Sequence, residues 1–452
     1  MQEEEEITGR SIGAGSQLRA TSWPTLEDQA TTEVTDPFGR NRERAVARPT
    51  VDHDDFSRRC KSVERGEESG KHPLFLKCRY DNAEHILGKS TQEQDPAASI
   101  RANRVESVTT IPMIAEGNEA RPWSRPHDPA TVVVVRLHAF GDLLITFPVI
   151  TALRRRLPKS RITLVTSTEY CAIARVLLPV DRILGIDTRA VRPLRLASML
   201  AVVPSTMRPD LLLDLQHSSI SDIYRHLIRP RSFATFDRFA PRHAFDRSCD
   251  VLDAAGLDGM TPRFEPLLPD PRRKQLVEDF ALPDDQRPTI CLNPAGCWET
   301  KQWPADRYAT LADRLGEAFD ARILLVGTTN VRDGADVIVA HSGAEIIDLV
   351  GKTTQLEALA LLMSVDLLIS DDSGLMHMAW TQGVPTIALF GATRAAWSRP
   401  LGSKSITFTS DDLDCGGCMA VDCMREDRFC LERIEVEEIF DRAATMMRAS
   451  TK

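Results

Sequence analysis

The chain has 452 residues, of which 42% are hydrophobic, and its formal net charge is −9 at pH 7. The length predicts two or three domains with sizeable cores, and the acidic balance argues against a nucleic-acid-binding protein, since such domains are usually basic. No uncharged apolar stretch reaches the roughly 18 residues of a membrane span, and the first residues lack the basic and apolar regions of a signal peptide, so we expect a cytoplasmic protein.

Residues 1–129 differ in composition from the rest of the chain. They contain acidic, Ser/Thr, Arg and Pro clusters and almost no sustained apolar period. A segment of this kind cannot bury enough apolar surface to fold. We therefore predict a low-complexity, disordered extension, in which residues 72–86 are a candidate for a local strand or helix, and we expect function to begin after Pro129.

From residue 131 the pattern changes to alternating strands and helices. Four valines, residues 132–135, predict a buried strand, and a turn containing Gly141 and Asp142 leads from it into an amphipathic helix. The alternation predicts a parallel sheet covered by helices, a Rossmann-like domain over 130–285. The turn has no G-x-G-x-x-G fingerprint, so no dinucleotide cofactor is indicated. The helix after the turn is predicted to run from residue 143 to about 157. Further strands are predicted at 161–166, 182–186 and 211–215, and further helices at 170–178, 195–203 and 221–228.

A Pro-rich, charged segment, residues 262–288, predicts the connection between two domains, with one helix at 271–280. A second cycle of strands and helices follows, which predicts a second Rossmann-like domain over 286–452. The final helix, residues 435–448, is amphipathic, and we expect it either to pack back across the domains or simply to complete a core. The other predicted strands are 289–293, 323–326, 345–348, 367–369 and 387–390, and the other helices are 306–319, 331–341, 355–364 and one starting near Leu375.

Polar residues follow the strand at 367–369, where Asp371, Asp372 and Ser373 precede a helix. Such a turn presents free backbone N–H groups and the positive end of a helix dipole, which together favour a phosphate. The alternatives are that Asp372 or Ser373 only caps the helix and that His377 is a packed helix residue. A matching strand-to-helix turn at Asp142 favours a functional site in a cleft between the two domains.

Four motifs in chain order carry a family resemblance. Together they make residues 131–447 resemble glycosyltransferase family 9, whose best-known members are ADP-heptose:lipopolysaccharide heptosyltransferases. The motifs are Arg136-Leu137 through Gly141-Asp142, Asn293-Pro294 with Lys301 and Trp303-Pro304, Asp372-Ser373-Gly374 to His377, and Gly383-Val384-Pro385 with Phe390-Gly391.

The resemblance implies a GT-B architecture, with the acceptor on the N-terminal domain and the sugar nucleotide on the C-terminal domain. It also implies transfer of heptose from ADP-heptose to the inner core of lipopolysaccharide, with inversion at the anomeric carbon and no required cofactor or metal. The implied partners are a nucleotide-sugar donor and a lipid-linked saccharide acceptor, reached by transient contact with the inner membrane surface.

Two residues take catalytic roles on this interpretation. Asp142 matches the family's catalytic aspartate, the base that takes the proton of the acceptor hydroxyl. Lys301 matches its cationic residue, which stabilises the departing diphosphate. The alternatives are a helix cap for Asp142 and a solvated surface position for Lys301, although the nearby Trp298 and Trp303 argue against a fully exposed loop.

The remaining site residues belong to the donor and acceptor sides. Ser373, Gly374 and Met376 are expected to offer backbone donors to the diphosphate, with His377 reaching phosphate or sugar. The donor side comprises Asp372, Ser373, Gly374, Leu375, Met376, His377 and Thr393, and the acceptor side or cleft comprises Arg136, His138 and Gly141.

The sequence departs from the family pattern at two places. Relatives carry a Glu after the strand at 323–326 that can bind the adenosine ribose, whereas residues 328–333 here contain Asp333 as the candidate substitute, which leaves the donor base open. His138 replaces a small Ser, and it either contacts substrate or packs.

Four cysteines, Cys415, Cys418, Cys423 and Cys430, form a C-x2-C-x4-C-x6-C cluster before the final helix. Four thiolates can bind structural zinc, and free thiols or disulfides are the alternatives. No catalytic role is expected.

Basic residues at two places suggest contact with anionic lipid headgroups or acceptor phosphates, with a solvated basic face as the alternative. They are Arg154, Arg155, Arg156, Lys159 and Arg161, and the stretch 229–247.

Other functions remain open at this point, since this architecture hosts many chemistries. They are a transferase that uses another nucleotide sugar, an epimerase-like enzyme, and a non-catalytic sugar-nucleotide-binding module.

Overall fold

The computed structural model describes residues 119–264 except 239, residues 274, 275 and 278, and residues 287–450 except 297. The predictions for residues 1–118, and most of the helix predicted at 271–280, lie outside the described residues. Among the described residues, no helix is both long and apolar enough to cross a bilayer.

The first domain is built on a six-stranded sheet in the order β1-β6-β5-β2-β3-β4, parallel except for the β1–β6 pair. The valines of the central strand β2 are buried, and alternate ones enter two different cores, because successive side chains of a strand point to opposite faces. The strands are β1 Ala120–Arg121, β2 Thr131–Arg136, β3 Arg161–Ser167, β4 Arg182–Ile186, β5 Leu211–Asp214 and β6 Ser232–Thr235, and the helices are α1 Phe140–Arg156, α2 Cys171–Leu177, α3 Arg192–Val202, α4 Ser219–Ile228 and α5 Ala244–Ala254.

The second domain is built on a parallel sheet in the order β12-β11-β10-β7-β8-β9. The strands are β7 Thr289–Asn293, β8 Arg322–Leu325, β9 Ile346–Asp348, β10 Leu367–Asp371, β11 Thr386–Leu389 and β12 Ser405–Phe408, and the helices are α6 Ala305–Phe319, α7 Arg332–His341, α8 Gln355–Met363, α9 Gly374–Thr381, α10 Ala395–Ser398, α11 Phe429–Glu432 and α12 Val436–Ser450.

Both sheets reverse their strand order at a central strand, which is β2 in the first domain and β7 in the second. In open α/β sheets, ligands bind in the crevice outside the carboxyl ends of the strands at this switch point. The turn with Asp142 follows β2, the loop with Lys301 follows β7, and Asp372 follows β10. The topology therefore puts the predicted catalytic and donor-binding turns at the two crevices.

The two domains contact each other through α1 and α9. An apolar cluster crosses this contact, because Ile145 of α1 and Ala244 of α5 pack with Met376 and Trp380 of α9. The contact brings the amino-terminal ends of α1 and α9 together.

Some elements differ from the sequence prediction. β1 and the buried Trp123 precede residue 130, so residues 119–129 pack on the first domain. The basic stretch 229–247 contains β6 and the start of α5, which the arginine-rich pattern concealed. The final helix α12 packs on α6, and its residues Ile439 and Ala443 join the core of the second domain rather than reaching back to the first.

Candidate active site

The side chain of Asp142 is held at the start of α1 by an arginine. Nη2 of Arg136, the last residue of β2, lies 2.5 Å from Oδ2 of Asp142, and Arg136 also donates to the carbonyl of Leu215. Arg136 is buried, while the Asp142 side chain is 38% exposed. The N-cap of α1 is Ala139, so Asp142 is not the helix cap. Arg136 therefore positions Asp142, and it is not an exposed acceptor contact.

Sequence reasoning missed Arg247, a second arginine near Asp142. It lies on α5, and burial lowers its pKa while the charge of Asp142 opposes that shift. Its guanidinium lies 5.8 Å from the ring centroid of Trp397 in the second domain. The arginine-rich stretch was the available signal, but it suggested lipid contact and not a place beside the catalytic turn.

Gln216, to which no sequence motif assigns a role, fixes the turn before α1. The amides of Leu137 and His138 donate to Oε1 of Gln216, at 3.0 and 2.7 Å. The backbone N–H of Gln216 donates to the buried carboxylate of Asp214, and this hydrogen bond holds Gln216 in position. His138 itself is half-buried.

Lys301 and Asp372 form a largely buried ion pair in the second domain. Nζ of Lys301 lies 2.8 Å from Oδ2 of Asp372, and the hydroxyl of Thr393 donates to the same oxygen at 2.8 Å. Burial alone would raise the pKa of Asp372, but the charge of Lys301 brings it below its ordinary value. Lys301 is therefore not a solvated surface lysine, and the predicted residues Asp372, Lys301 and Thr393 lie together.

Asp371, the residue before Asp372, is hydrogen-bonded to the loop that carries Lys301. Its carboxylate is fully buried and accepts a hydrogen bond from the amide of Trp303, and burial raises its pKa well above the ordinary range. The indole of Trp303 is buried and donates to the carbonyl of Ile434. Trp303 therefore has a packing role, and it also borders the cavity beside Gln302.

Ser373 is the N-cap of α9. Its hydroxyl accepts from the amide of Met376 at 3.2 Å and donates to Oδ1 of Asn293 at 2.7 Å. The amide of Met376 is thus engaged by the cap, and its side chain lies in the cluster between the domains. The amides of Gly374 and Leu375, in the first turn, have no acceptor within their own helix. Ser373 can therefore cap the helix while the amides of Gly374 and Leu375 face a phosphate. The backbone amide of Met376 is already engaged by the cap.

His377 lies between the two domains with its ring buried. Nδ1 accepts from the indole of Trp380 at 3.1 Å, so the neutral ring carries its proton on Nε2, which is 3.9 Å from Oδ1 of Asp372. Burial lowers the pKa of His377 to about 4, against the charges of Asp372 and Asp142. His377 is therefore a neutral donor at physiological pH.

Two glycines make the domain contact close. A Cβ added to Gly141 would lie 2.3 Å from Cδ2 of His377, and one added to Gly374 would lie 2.7 Å from Cδ1 of Phe140. Gly374 is expected to let a phosphate come close to the backbone. In the structure, the absence of a side chain at Gly374 makes room for the ring of Phe140.

The loop that carries Lys301 borders a cavity of about 440 Å³. Its lining includes Pro294, Gln302 and Gly334. Asp333, the candidate substitute for the family's ribose-binding Glu, is exposed in the first turn of α7, next to Gly334.

The cysteine-rich loop, residues 409–430, rests on the donor side of the site. The hydroxyl of Thr300 donates to the carbonyl of Ala420 at 2.7 Å, and the amide of Met419 donates to the carbonyl of Ala392 at 2.7 Å. Cys415, Cys418, Cys423 and Cys430 are free thiols. Burial raises the pKa of Cys430, and the other three thiols add to that shift. Within the described part of the chain, no group of three or more His, Cys, Asp or Glu side chains is arranged to hold a metal.

Residues 230–427 match the model of glycosyltransferase family 9 (heptosyltransferase). The family 9 resemblance is confirmed. Lipooligosaccharide heptosyltransferase 2 of Campylobacter jejuni is 25% identical over 162 residues, 35% of this chain and 51% of the relative. The chain thus spans about half the length of that family 9 relative.

Two solved structures have the same fold. The family 9 glycosyl transferase from Veillonella parvula superposes with a TM-score of 0.59 at 22% identity, covering 71% of this chain and 97% of that chain. The E. coli heptosyltransferase WaaC with ADP superposes with a TM-score of 0.55 at 16% identity, covering 70% and 99%. These likenesses confirm the predicted GT-B architecture for the part of the chain they cover.

Proposed function

We propose that the protein is an inverting glycosyltransferase that moves a heptose, or a related sugar, from ADP-heptose to a lipopolysaccharide core or another envelope glycan acceptor. The observation that carries the proposal is the contact between Gly141 and His377. The contact supports the proposal because Asp142 follows Gly141 in sequence and its charge acts on His377 of the second domain. The family 9 match over residues 230–427 supports the reaction class.

Asp142 is the base in this mechanism. Its partly exposed carboxylate takes the proton of the acceptor hydroxyl while that oxygen attacks the anomeric carbon. The ion pair with Arg136 fixes the position of the carboxylate. The new bond joins the acceptor oxygen to the anomeric carbon, the bond from that carbon to the phosphate oxygen breaks, and the configuration inverts.

The leaving group carries away the bonding electron pair as ADP, so its diphosphate gains negative charge. Lys301 meets that charge, and its pairing with Asp372 holds the ammonium in place before the donor arrives. The Nε2–H of His377 and the first-turn amides of α9 are the neutral donors. The cavity beside Gly334 is the proposed place for the nucleoside, with Asp333 near its ribose.

The donor is tested by calorimetry with ADP-heptose, a UDP-sugar and a GDP-sugar. We expect ADP-heptose to bind at least about tenfold more tightly, as one or two base-specific hydrogen bonds provide. A clear preference for a UDP-sugar would redirect the proposal to another nucleotide-sugar transferase. ADP is a reasonable first probe because the structurally similar E. coli WaaC has been solved with it.

Product analysis separates the remaining alternatives. A transferase releases ADP only when an acceptor is present and depends on Asp142. An epimerase would convert the nucleotide sugar without any acceptor, and a binding module would turn over nothing. The acceptor in the proposal is a lipid-linked saccharide, and the proposed place of action is the cytoplasmic side of the membrane.

We also propose that the cysteine-rich loop takes up a structural zinc ion, with no part in the chemistry. The C-x2-C-x4-C-x6-C spacing of four free thiols in one short loop supports this, and zinc binding requires the loop to draw the thiols together, because they form no ligand group in the described structure. Metal analysis of the purified protein should give about one zinc per chain, and its loss from a Cys415→Ser/Cys418→Ser variant should follow. A metal-free wild-type protein with four titratable thiols in the loop would overturn it.

A further inference from the structure

Helix α3 turns apolar side chains to solvent. It packs on the first domain through the buried Met199 and Val202. Leu196 and Leu200, one turn apart, are about half exposed, and Pro193, Ala197 and Ala201 are exposed beside them. A surface helix normally presents charged or polar residues on this side. The outward face of α3 is instead apolar.

The apolar surface continues at both ends of the helix. Among the described residues, five of the eleven exposed large hydrophobic side chains lie between residues 191 and 207. Scattered exposed apolar residues are normal, but a concentration of this kind marks a contact surface. We call these five residues the α3 patch, and they are Val191, Leu194, Leu196, Leu200 and Met207.

The patch has a cationic fringe. Residues 189–208 contain four arginines and neither Asp nor Glu, in a chain with a net charge of −9. Of the four, Arg189, Arg192 and Arg208 are exposed, and Arg189 pairs with Glu169. An apolar face bordered by arginines complements the interface of an anionic bilayer, where apolar side chains enter the headgroup boundary and guanidinium groups meet the phosphates.

The patch lies at the catalytic edge of the first sheet. The segment 187–191 follows the carboxyl end of β4, which lies on the same edge as the carboxyl end of β2 because the strands are parallel. The hydroxyls of Ser167, at the end of β3, and Thr188 are 2.9 Å apart, which ties the start of this segment to the edge. The patch therefore begins on the side of the domain where Asp142 lies.

Three of the basic residues expected to meet lipid are engaged within the protein. Arg154 is paired with Asp181, and Arg156 is paired with Asp128. Arg247, at the end of the second basic stretch, is largely buried beside Trp397. Arg154 and Arg156 form ion pairs within the first domain, and Arg247 contacts a residue of the second domain.

We propose that the α3 patch docks the protein on an anionic lipid surface. The side chains of Leu194, Leu196 and Leu200 enter the headgroup boundary, and Arg192 and Arg208 contact lipid phosphates. Docking there brings the first domain to a lipid-linked acceptor, a part of the inference that rests on the proposed function.

Sedimentation of the full chain with vesicles tests the docking. Phosphatidylcholine vesicles containing phosphatidylglycerol are compared with phosphatidylcholine alone, for the wild type, Leu196→Glu/Leu200→Glu and Arg192→Gln/Arg208→Gln. The matched control is Val337→Glu/Val339→Glu, which changes two exposed apolar residues on α7 of the other domain. ADP binding by calorimetry and the thermal transition are recorded for each variant.

We expect the wild type and the control to bind the anionic vesicles, and the leucine variant to bind at least about tenfold more weakly, as loss of two inserted side chains requires. The arginine variant should lose the preference for anionic over neutral vesicles. The inference is overturned if the wild type does not bind vesicles or if the leucine variant binds like the wild type.

A second copy of the chain or its own residues 1–118 are other possible occupants of the patch. A wild-type dimer that the leucine substitutions convert to a monomer, without vesicle binding, would assign the patch to self-association and overturn the docking. If the full chain does not bind vesicles but a chain without residues 1–118 does, the patch is assigned to those residues, and the docking is overturned as well. Vesicle binding without any nucleotide-sugar binding would leave the docking intact and refute the proposed function instead.

Discussion

A β-carbon added to Gly141 would lie 2.3 Å from Cδ2 of His377, so the first domain touches the second through an imidazole ring set against a bare α-carbon. The ring belongs to the helix start that we assign to the donor, and the glycine precedes the carboxylate that we assign to the acceptor. One contact therefore sets the separation between the two halves of the proposed site.

Replacement of Gly141 by Ala should lower turnover by about 100-fold, because a misplacement of roughly 1 Å at the reacting centre has a cost of this order. Gly343→Ala is the matched control, since a Cβ there meets no atom within 4 Å. Steady-state kinetics of both variants decide the matter. Equal activity of the two would show that the contact does not govern the chemistry.

Asp142→Asn should reduce kcat by about 100-fold or more, because an amide cannot accept the proton of the acceptor hydroxyl. Donor affinity, measured by calorimetry, should be largely kept. Asp246→Asn is the control, since Asp246 is also a carboxylate in the first turn of a helix of this domain. Near-normal turnover of the Asp142 variant would remove this residue from the mechanism.

Lys301→Met should weaken ADP binding and lower turnover by at least about tenfold, because the charge of the diphosphate loses its cationic partner. It should also lower the free energy of unfolding by about 3 to 5 kcal/mol, since Asp372 is left buried and unpaired. Lys352→Met, a change of an exposed lysine, should do neither.

The double variant Lys301→Met/Asp372→Asn separates these two effects. It should regain part of the stability measured by chemical denaturation, because no unpaired charge remains. It should not regain activity. Recovery of turnover in the double variant would mean that Lys301 serves only to neutralise Asp372.

The stability of the protein should depend on pH through His377. Burial lowers the pKa of His377 from 6.5 to about 4, so between these values the unfolded chain binds a proton that the folded chain does not. Stability is therefore full above about pH 6.5 and falls as the pH drops toward 4, by about 3 kcal/mol in total for this group. Urea denaturation of the wild type and His377→Gln across this range measures the effect. The exposed His226→Gln is the control and should retain the wild-type slope.

Periodicity and turn chemistry were enough to predict most of the architecture. The strands at 182–186 and 289–293 were predicted to the residue, because short β-branched and leucine runs between breakers allow few readings. The helix α5 was missed, because it begins at the end of the arginine-rich stretch 229–247, which indicated a basic surface and not a helix. Arg247 packs on rings and Arg242 pairs with Asp250, neither of which a charge pattern reveals.

The site was predictable as a set of residues but not as a set of contacts. Lys301, Asp372 and Thr393 were named separately, and only the fold shows that they bind one another. The cap formed by Ser373 was weighed as an alternative to a phosphate site, yet the structure allows both because the capping bond engages only the amide of Met376. Pairings between turns of different strands depend on tertiary geometry that local patterns do not encode.

The glycine contacts are reciprocal, since His377 of the second domain covers Gly141 and Phe140 of the first covers Gly374. These two contacts resist sliding of one domain along the other, because a lateral shift pushes the ring of His377 or of Phe140 into the backbone of the other domain. Separation along the line that joins the helix starts meets no such obstacle. Domain movement during the catalytic cycle should therefore be a hinge opening and not a shear.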